Sequence, residues 1–286
     1  PTPHLTTATM PPAPTYNDIH FSVLMSLYHK ENPRYLDKCL ESLFKQTLRA
    51  TEIVLVVDGP VPQPLHDIVD KWSGQLPIKT VPLPENVGLG LALATGIRAC
   101  SHELIARMDT DDICMASRFE KQIKFMAAHA GIAICGTCIQ EIEPQTERPL
   151  GIRSVPLTNS EIKARLPTRN PFNHMTVMYR KSAILTVGNY EHFPFMEDWY
   201  LWAKLVKAGY ACANLPDCLV HARTGADMVG RRGGLDYVKS EYRITKFFVD
   251  GKLTSFLTGW LVFFARAMPR LLPVAIRQKI YTFLRG

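Results

Sequence analysis

The last stretch of the sequence lacks acidic residues, and it lacks an apolar segment long enough to span a membrane. From Lys252 to Gly286 there is no Asp or Glu, and the longest uncharged apolar stretch of this region runs from Leu253 to Ala265. That is short of the ~20 residues that a bilayer requires. Basic residues among aromatic and leucine side chains fit a helix that lies on an anionic membrane surface. The alternative is a C-terminal helix pair that packs on the core with its arginines in water.

A nucleic-acid-binding motif is also missing. The formal net charge is +7, but no recognised motif accompanies it, so no nucleic-acid partner is expected. The basic residues of the C-terminal stretch are Lys252, Arg266, Arg270, Arg277, Lys279 and Arg285.

No N-terminal signal peptide is visible. Residues 1–20 contain Pro and Thr, carry almost no charge and have no apolar core segment, so a disordered tail is expected over 1–20. The 286 residues, 47% of them hydrophobic, suffice to bury a full core. We therefore expect the folded domain to begin at about Phe21.

Two glycine-rich phosphate-binding motifs are absent. There is no Gly-x-x-x-x-Gly-Lys, and Gly88-Leu89-Gly90 resembles a dinucleotide fingerprint only in its first half, because the sixth position is Leu93. The motif also does not follow the first predicted strand. If a nucleotide binds, a metal ion must therefore carry the phosphate charge.

The cysteines do not form a complete zinc motif. Cys135-Gly-Thr-Cys138 has the spacing of half a site, but Cys212 and Cys218 are six positions apart. The seven cysteines are odd in number and mostly lie within apolar runs, which indicates reduced, buried thiols in a cytosolic protein. Core packing is thus favoured over zinc binding for the Cys135 pair.

The first half of the sequence alternates strand-like and helix-like segments. This pattern predicts an α/β fold, a mostly parallel sheet with helices on both faces. Past residue 117 the alternation loosens, and residues 141–170, polar and interrupted by prolines, predict a surface excursion near the site. The predicted strands are Phe21–Leu27, Glu52–Val57, Ile78–Leu83, the run ending at Ala106, Ile132–Ile139 and His174–Tyr179. A late helix is predicted to open with Phe195-Met-Glu197-Asp198-Trp199 and to run through Ala208.

Three carboxylates follow the fourth predicted strand, in Asp109-Thr-Asp111-Asp112. Side chains alternate in an extended segment, so Asp109 and Asp111 point the same way. Two hard oxygen donors suit Mg²⁺ or Mn²⁺ and leave coordination positions open for phosphates. Alternatively, the segment is a polar turn in which Asp111 or Asp112 caps a helix that begins near Ser117. In open α/β sheets ligands bind at the carboxyl ends of the strands, where Tyr28 and Asp58 would join this cluster.

In combination these motifs resemble glycosyltransferase family 2, inverting enzymes of the GT-A fold. The resemblance runs from about Phe21 to Arg223. It rests on Ser26-Leu27-Tyr28-His29, on Val57-Asp58-Gly59-Pro60, on Asn86-x-Gly88, on Asp109-Thr-Asp111-Asp112 and on Glu197-Asp198-Trp199. The family commonly has Asp-Asp-Gly-Ser at the second of these positions, and this sequence keeps one of the two acids.

The resemblance implies a role for several residues of the donor site. Tyr28 would stack on a uracil ring, Asp58 would accept a hydrogen bond from its N–H, and Asn86 would belong to the same nucleotide-binding set. Asp109 would face the ribose or the metal, and Asp111 would ligate the metal that bridges the two phosphates. As in some relatives, a late histidine, His221, would be a third protein ligand, although a surface or core histidine is the alternative. Arg231 and Arg232 would lie on a loop that closes over the diphosphate, or on a solvated basic turn.

The resemblance also implies that Asp198 is the general base, which removes the proton of the acceptor hydroxyl as its oxygen attacks the sugar C1. Acids in the first turn of a helix are favoured by the helix dipole without any catalysis, which is the alternative for Glu197 and Asp198.

The implied protein is a cytosolic, Mn²⁺- or Mg²⁺-dependent hexosyltransferase, peripheral on the inner face of the plasma membrane. It would move a hexose, with galactose the first guess, from a UDP-sugar donor to a lipid-diphosphate-linked saccharide in O-antigen or exopolysaccharide biosynthesis. The implied domains are a GT-A domain over 21–225, with a nucleotide-binding half 21–112 and an acceptor half 113–225, and a basic amphipathic helical extension over 226–286. The alternatives are a metal-dependent nucleotidyltransferase and a non-catalytic protein that binds membrane or nucleic acid.

Overall fold

The computed structural model describes residues 16–224 and 234–270. Within these ranges the chain forms a nine-stranded sheet flanked by helices. The strands are β1 (Phe21–Leu27), β2 (Glu52–Val57), β3 (Ile78–Pro82), β4 (Leu104–Arg107), β5 (Ile113–Cys114), β6 (Ile132–Ile142), β7 (Pro149–Arg153), β8 (Met178–Arg180) and β9 (Ala211–Arg223). The helices are α1 (Pro33–Phe44), α2 (Gln63–Ser73), α3 (Leu89–Ala99), α4 (Arg118–Ala128), α5 (Asn159–Arg165), α6 (Lys181–Thr186), α7 (Glu197–Lys207), α8 (Leu235–Asp250) and α9 (Phe256–Arg270).

The strands lie in the order β3, β2, β1, β4, β8, β6, β9, β5, and β7 pairs additionally with β6. The first four, β3, β2, β1 and β4, are parallel neighbours. β8 is antiparallel to both β4 and β6, and β9 is parallel to β6 but antiparallel to β5. The predicted α/β class is confirmed, with a parallel sheet over the first half of the chain and mixed pairing beyond it.

Helices cover both faces of the sheet, as the sequence predicted. In β1, Val23 and Met25 belong to a hydrophobic cluster with α1, α2 and α4, whereas Leu24 belongs to a second cluster with α3, α7 and α8. A strand buried on both faces is apolar almost throughout, which is why β1 reads as a continuous hydrophobic run. The parallel strands therefore deliver the polar residues that follow them to one edge of the sheet.

Residues 141–170 are more regular than the surface excursion that the sequence predicted. β6 continues to Ile142, and β7 pairs back against it, with Ile139 opposite Arg153. α5 follows, and its capping box joins the Thr158 hydroxyl to the Glu161 N–H at 3.3 Å. The residues of β7 are almost all exposed, so no alternation of apolar and polar residues marked the strand. The excursion is thus a hairpin followed by a capped helix.

Two predicted boundaries were wrong. The strand predicted from His174 begins only at Met178, because the segment His174–Thr176 forms a 3-10 helix. The disordered tail was predicted to reach residue 20, whereas Tyr16–Asp18 forms a 3-10 helix, and Tyr16 and Ile19 pack against the core. Residues 1–15 lie outside the described residues.

The first C-terminal helix, α8, packs on the core of the domain. Tyr237, Ile244 and Phe248 are buried in the cluster that also contains α3 and α7. The buried carboxylate of Glu241 accepts three hydrogen bonds from Arg266 of α9, at 2.7 to 3.0 Å. Of the two alternatives for the stretch from Lys252, packing therefore describes one face of α9 within the described residues.

The outer face of α9 is apolar and exposed. Its large exposed hydrophobic side chains recur at helical spacing. They are Phe256, Leu257, Leu261, Phe264 and Met268. We call this set the α9 stripe. In the part of the chain that the structure describes, no helix is both long enough and apolar enough to cross a bilayer.

Candidate functional site

Polar residues from three parallel strands meet at one edge of the sheet. Tyr28 follows β1, Asp58 follows β2, and the acidic segment follows β4. The backbone keeps them in register: the Asp58 N–H donates to the Leu27 carbonyl at 2.7 Å, and the Met108 N–H donates to the Leu24 carbonyl at 3.0 Å. The gathering that the sequence predicted at the carboxyl ends of these strands is present.

The acidic segment forms a compact cluster of carboxylates. Oxygen atoms of Asp109, Asp111 and Asp112 all lie within 4.8 Å of one another. The sequence indicated three carboxylates here but predicted only Asp109 and Asp111 as ligands; Asp112 joins them because the chain turns at residues 110–111 instead of continuing as a strand. We call these three residues the acidic cluster.

The charges of the acidic cluster are poorly compensated by the protein. Burial, together with the charge of Asp109, raises the pKa of Asp111 to about 6. Burial and the same negative neighbours raise the pKa of Asp112 well above its usual value. Three hard oxygen donors that repel one another are the donor set that Mg²⁺ or Mn²⁺ prefers, and such an ion would stabilise their ionised forms. The residues present therefore fit a divalent cation.

Asp112 does not cap α4, which was one alternative for this segment. Its Oδ1 accepts the Arg223 N–H of β9 at 2.8 Å, and Ser117, at the start of α4, makes no side-chain capping bond. The Arg223 guanidinium donates to the Asp111 carbonyl and, at 2.5 Å, to Glu147. The acidic cluster is thus held in place by hydrogen bonds from β9 rather than by the start of α4.

Asp58 holds the loop before α3. Its two carboxylate oxygens accept the N–H groups of Val87 at 2.7 Å and of Gly88 at 3.1 Å, and the Asn86 amide donates to the Asp58 carbonyl at 3.2 Å. A Cβ on Gly59 would lie 2.6 Å from the Asn86 nitrogen, so this close approach requires glycine. Asp58 and Asn86 therefore support each other, a task that sequence reasoning did not foresee. Tyr28 is half-buried at the same edge, with its ring edge-on to His29.

Glu197 and Asp198 begin α7 next to the loop before α3. A Cβ on Gly90 would lie 3.1 Å from the Glu197 Cβ, so the glycine makes room for this helix start. Burial, and secondarily the neighbouring Asp198, raises the pKa of Glu197 to about 7. Burial also raises the pKa of Asp198, whose Oδ2 accepts the Asn170 amide at 2.6 Å. A carboxylate with a raised pKa in a first helical turn is suited to proton transfer.

Arg107 is a residue that sequence reasoning missed. It is 2% exposed at the end of β4, and its guanidinium pairs with Asp109. It also interacts electrostatically with Glu197 and Asp198. An arginine two positions before an acidic motif is the signal that was available, since both side chains lie on one face of an extended segment.

One predicted metal ligand, His221, stands apart from the acidic cluster. His221 lies on β9 opposite Ile113 of β5, but among the described residues it is not part of the group of close potential ligands. Burial lowers the pKa of His221, which favours the neutral imidazole. Arg231 and Arg232 lie outside the described residues.

Sequence comparisons place the chain among bacterial glycosyltransferases. Residues 22–192 match the family model described as glycosyl transferase family 2. The chain is 45% identical over 261 residues to the amylovoran biosynthesis glycosyltransferase AmsE of Erwinia amylovora, a match that covers 91% of this chain and 97% of that protein. It is 35% identical to an Escherichia coli protein named UDP-Gal:alpha-D-GlcNAc-diphosphoundecaprenol beta-1,3-galactosyltransferase, over 91% of this chain and 94% of that protein.

Solved structures share the fold. The S. aureus TarS 1-349 structure in complex with UDP-GlcNAc has a TM-score of 0.67 at 19% identity and covers 87% of this chain and 74% of that chain. The mannosyltransferase PcManGT from Pyrobaculum calidifontis has a TM-score of 0.60 at 14% identity, with coverage of 95% and 82%. The predicted GT-A fold is confirmed, and together with the matched sequence this shows that the chain belongs to glycosyl transferase family 2.

Proposed function

We propose that this enzyme transfers a hexose, with galactose as the first candidate, from a UDP-sugar to a lipid-diphosphate-linked saccharide, with inversion at C1. The coarser part, a glycosyltransferase of the exopolysaccharide and O-antigen type, follows from the family and from its relatives. The name of the Escherichia coli relative supports the finer part, because that protein is described as using UDP-Gal and a diphosphoundecaprenol-linked acceptor.

The observation that carries the proposal is the acidic cluster at the carboxyl ends of the parallel strands. Asp109, Asp111 and Asp112 would hold Mn²⁺ or Mg²⁺, and Asp111 is the half-buried member whose carboxylate has no bond to Arg107 or to the Arg223 N–H. A divalent ion there would supply positive charge to the diphosphate that leaves with the nucleoside. PcManGT, the solved neighbour with GDP-Man, is described as a complex with Mn²⁺.

The other donor-site assignments belong to the same proposal. Tyr28 would stack on the uracil, Asp58 and Asn86 would line its edge, and His221 would approach the metal from β9. Asp58 already accepts two backbone N–H groups, and each carboxylate oxygen can accept a further hydrogen bond. Arg231 and Arg232 are proposed to cover the diphosphate.

Asp198 is the proposed general base. Its Oδ2 accepts the Asn170 amide, which fixes the side chain that would accept the acceptor's hydroxyl proton. As the hydroxyl oxygen attacks C1 from the face opposite the diphosphate, the proton moves to Asp198, and the configuration at C1 inverts. Glu197, one position earlier, stays partly protonated near neutral pH.

The α9 stripe is the proposed contact with an anionic membrane on the cytoplasmic side of the plasma membrane. Leu257, Leu261, Phe264 and Met268 follow one line along the helix and are each more than half exposed. No acidic residue occurs from Lys252 onward, so the charge of this region complements anionic lipid headgroups. We propose the same division of the chain as above: a donor half 21–112, an acceptor half 113–225 and a membrane-contacting extension 226–286.

A transfer assay tests the function. Purified enzyme would be incubated with UDP-Gal, UDP-Glc, UDP-GlcNAc or GDP-Man, a synthetic GlcNAc-diphosphate-lipid and Mn²⁺, and the products separated by mass. We expect one UDP-sugar to yield a disaccharide lipid and UDP, with loss of at least ~100-fold of the rate in EDTA. In a separate incubation with UTP and a sugar 1-phosphate, formation of a UDP-sugar with release of pyrophosphate would identify a nucleotidyltransferase instead. No turnover with any donor would contradict the proposal.

A flotation assay tests the membrane contact separately. Leu257→Ser with Leu261→Ser should release the protein from vesicles containing phosphatidylglycerol, whereas the matched pair Leu150→Ser with Ile152→Ser, on exposed β7, should not. Equal flotation of all variants would rule out the α9 stripe as the contact.

A further inference from the structure

We propose that Arg107 is a positioning residue that joins the acidic cluster to the Glu197–Asp198 pair from beneath the site. This inference rests on the proposed function, because it assigns the two groups to the donor and acceptor halves of one reaction. Arg107 is 2% exposed, so it supports the reacting groups without touching substrate.

The backbone of Arg107 is fixed on two sides. Its N–H donates to the Val177 carbonyl at 2.8 Å, and its own carbonyl accepts the guanidinium of Arg118 at 2.7 Å. The strand end is therefore held by β8 on one side and by α4 on the other. A guanidinium that starts from such a fixed point has little freedom to relax when a neighbour moves.

The guanidinium has more donors than the acidic cluster uses. Nη2 pairs with Asp109, but Nε and Nη1 are buried and have no hydrogen-bond partner among the described residues. A buried cation is costly unless its surroundings compensate the charge. An arginine whose purpose was this single ion pair would be expected to satisfy its remaining donors. Asp109 therefore uses only part of what the guanidinium can donate, and the charge of Arg107 acts on other groups as well.

Those groups belong to several elements around Arg107. Its charge acts on Asp111 and Asp112 of the acidic cluster, and on Glu197 and Asp198 at the start of α7. It also acts on three further ionisable side chains, which are His174, Tyr179 and Tyr190. One buried cation is thus shared by both pairs of functional carboxylates.

Two of these side chains, His174 and Tyr190, pack against Trp202 of α7. His174 Nε2 and the Tyr190 hydroxyl are 2.7 Å apart, and the Trp202 ring lies 6.0 Å from the His174 ring and 6.2 Å from the Tyr190 ring. Trp202 is one turn beyond Asp198 on α7. His174 and Tyr190, on which the charge of Arg107 acts, therefore pack against the helix that carries Asp198.

Such coupling has a defined consequence for the reaction. The attacking hydroxyl, C1 and the leaving diphosphate must be aligned to a fraction of an ångström, whereas each substrate can bind to its own half without that alignment. Loss of Arg107 should therefore reduce kcat far more than it weakens the binding of either substrate.

Three arginine variants test the proposal. Arg107→Met removes the charge, and Arg107→Lys keeps it without the planar fork. Arg180→Met is the matched control, since the Arg180 guanidinium is held by the backbone carbonyls of Met126, His129 and Ile132. We expect Arg107→Met to lower kcat at least ~100-fold with the KM for the UDP-sugar within ~threefold, Arg107→Lys to recover part of kcat, and Arg180→Met to lower Tm but keep kcat per folded molecule.

The pH profile separates positioning from simple loss of structure. The groups that act on Asp198 are Asn170, the Trp199 N–H, Arg107, Tyr190 and Glu197. Of these, Arg107 is the cation, and it lowers the pKa of Asp198. In Arg107→Met the acidic limb of kcat should therefore move to higher pH by roughly one unit, and Arg107→Lys should restore it. An unmoved limb, or a kcat within threefold of wild type in Arg107→Met, would overturn the proposal.

A double-mutant cycle of melting temperatures tests the coupling between Arg107 and Asp198 without any assay of activity. Arg107→Met, Asp198→Asn and the double variant would be melted without metal. If the two residues are coupled, the change in Tm of the double variant should differ from the sum of the single changes by at least about 2 °C. Additivity within 1 °C would refute the coupling. An inactive wild type would contradict the proposed function alone, and this cycle would still decide the role of Arg107.

Discussion

The two halves of the sheet place their functional residues by different means. The strands β1 to β4 run parallel to one another, and the polar residues that follow β1, β2 and β4 meet at one edge. In β5 to β9 the pairing is mixed, and the environment of Asp198 depends on residues distant in sequence, such as Asn170 and Arg107. A repeated local unit thus builds the proposed donor side, whereas long-range contacts build the proposed acceptor side.

This contrast predicts that a change at the acceptor side spares nucleotide binding. Asp198→Asn keeps the size of the side chain but cannot accept a proton, so kcat should fall by about 10³-fold, within the usual range for loss of a general base. Binding of UDP with Mn²⁺ should stay within twofold of wild type, as measured by calorimetry. Full turnover of Asp198→Asn would show that Asp198 is not the base.

The contact between the two sides at Gly90 sharpens the comparison. In Gly90→Ala the new methyl group would lie 3.0 Å from the Glu191 carbonyl oxygen and 3.1 Å from the Glu197 Cβ, so the start of α7 must shift. Alanine also favours the helix, by up to about 1 kcal/mol, which offsets part of the strain. We expect kcat to fall roughly tenfold with a small change in Tm.

Gly96→Ala provides the control for that variant. Its methyl group would lie 2.3 Å from Leu24 Cδ1 and 2.8 Å from Val56 Cγ2, inside the core. Overpacking of this kind costs about 1 to 3 kcal/mol of stability. The folded fraction of Gly96→Ala should retain kcat. If Gly90→Ala lost stability but not kcat, the two glycines would have equivalent, purely structural roles.

The smallest expected effect is the contribution of Glu197 to the pH dependence of stability. Burial and Asp198 raise its pKa from 4.5 to about 7, so the folded protein binds this proton more tightly than the unfolded chain. Stability should therefore fall as pH rises from about 4.5 to about 7 and level off above that range. Without metal, Glu197→Gln should reduce this pH-dependent loss in the free energy of unfolding by roughly 1 to 3 kcal/mol. The remaining loss is the part due to Asp111 and Asp112. Melting curves at pH 5 and pH 7.5 measure it, with exposed Glu85→Gln as the control.

The donor side could be predicted from sequence because its signals are local. A buried strand is recognisable in the sequence as an apolar run, and the acids of the acidic cluster directly follow the run that forms β4. Asp112 was not predicted as a ligand, because strand alternation fails where the chain turns at residues 110–111. Its bond to the Arg223 N–H joins residues 111 positions apart, and no local pattern encodes such a contact.

The acceptor side was predicted less completely for the same reason. β7 is exposed along most of its length and carries no alternation, and α5 depends on a capping box within a polar segment. Arg107 reads as an ordinary strand-end arginine, and only the fold brings it near Glu197 and Asp198. Of the two C-terminal alternatives, core packing describes one face of α9, and membrane contact is the proposal for its exposed apolar face, a division that composition alone could not give.

The most direct test of the account is the metal dependence of UDP binding, measured by isothermal titration with wild type, Asp111→Asn and the exposed control Asp70→Asn. The account predicts that Mn²⁺ strengthens UDP binding at least ~30-fold in wild type and in Asp70→Asn, and that Asp111→Asn loses this gain. Equal UDP affinity with and without Mn²⁺ in wild type, or an undiminished gain in Asp111→Asn, would contradict it.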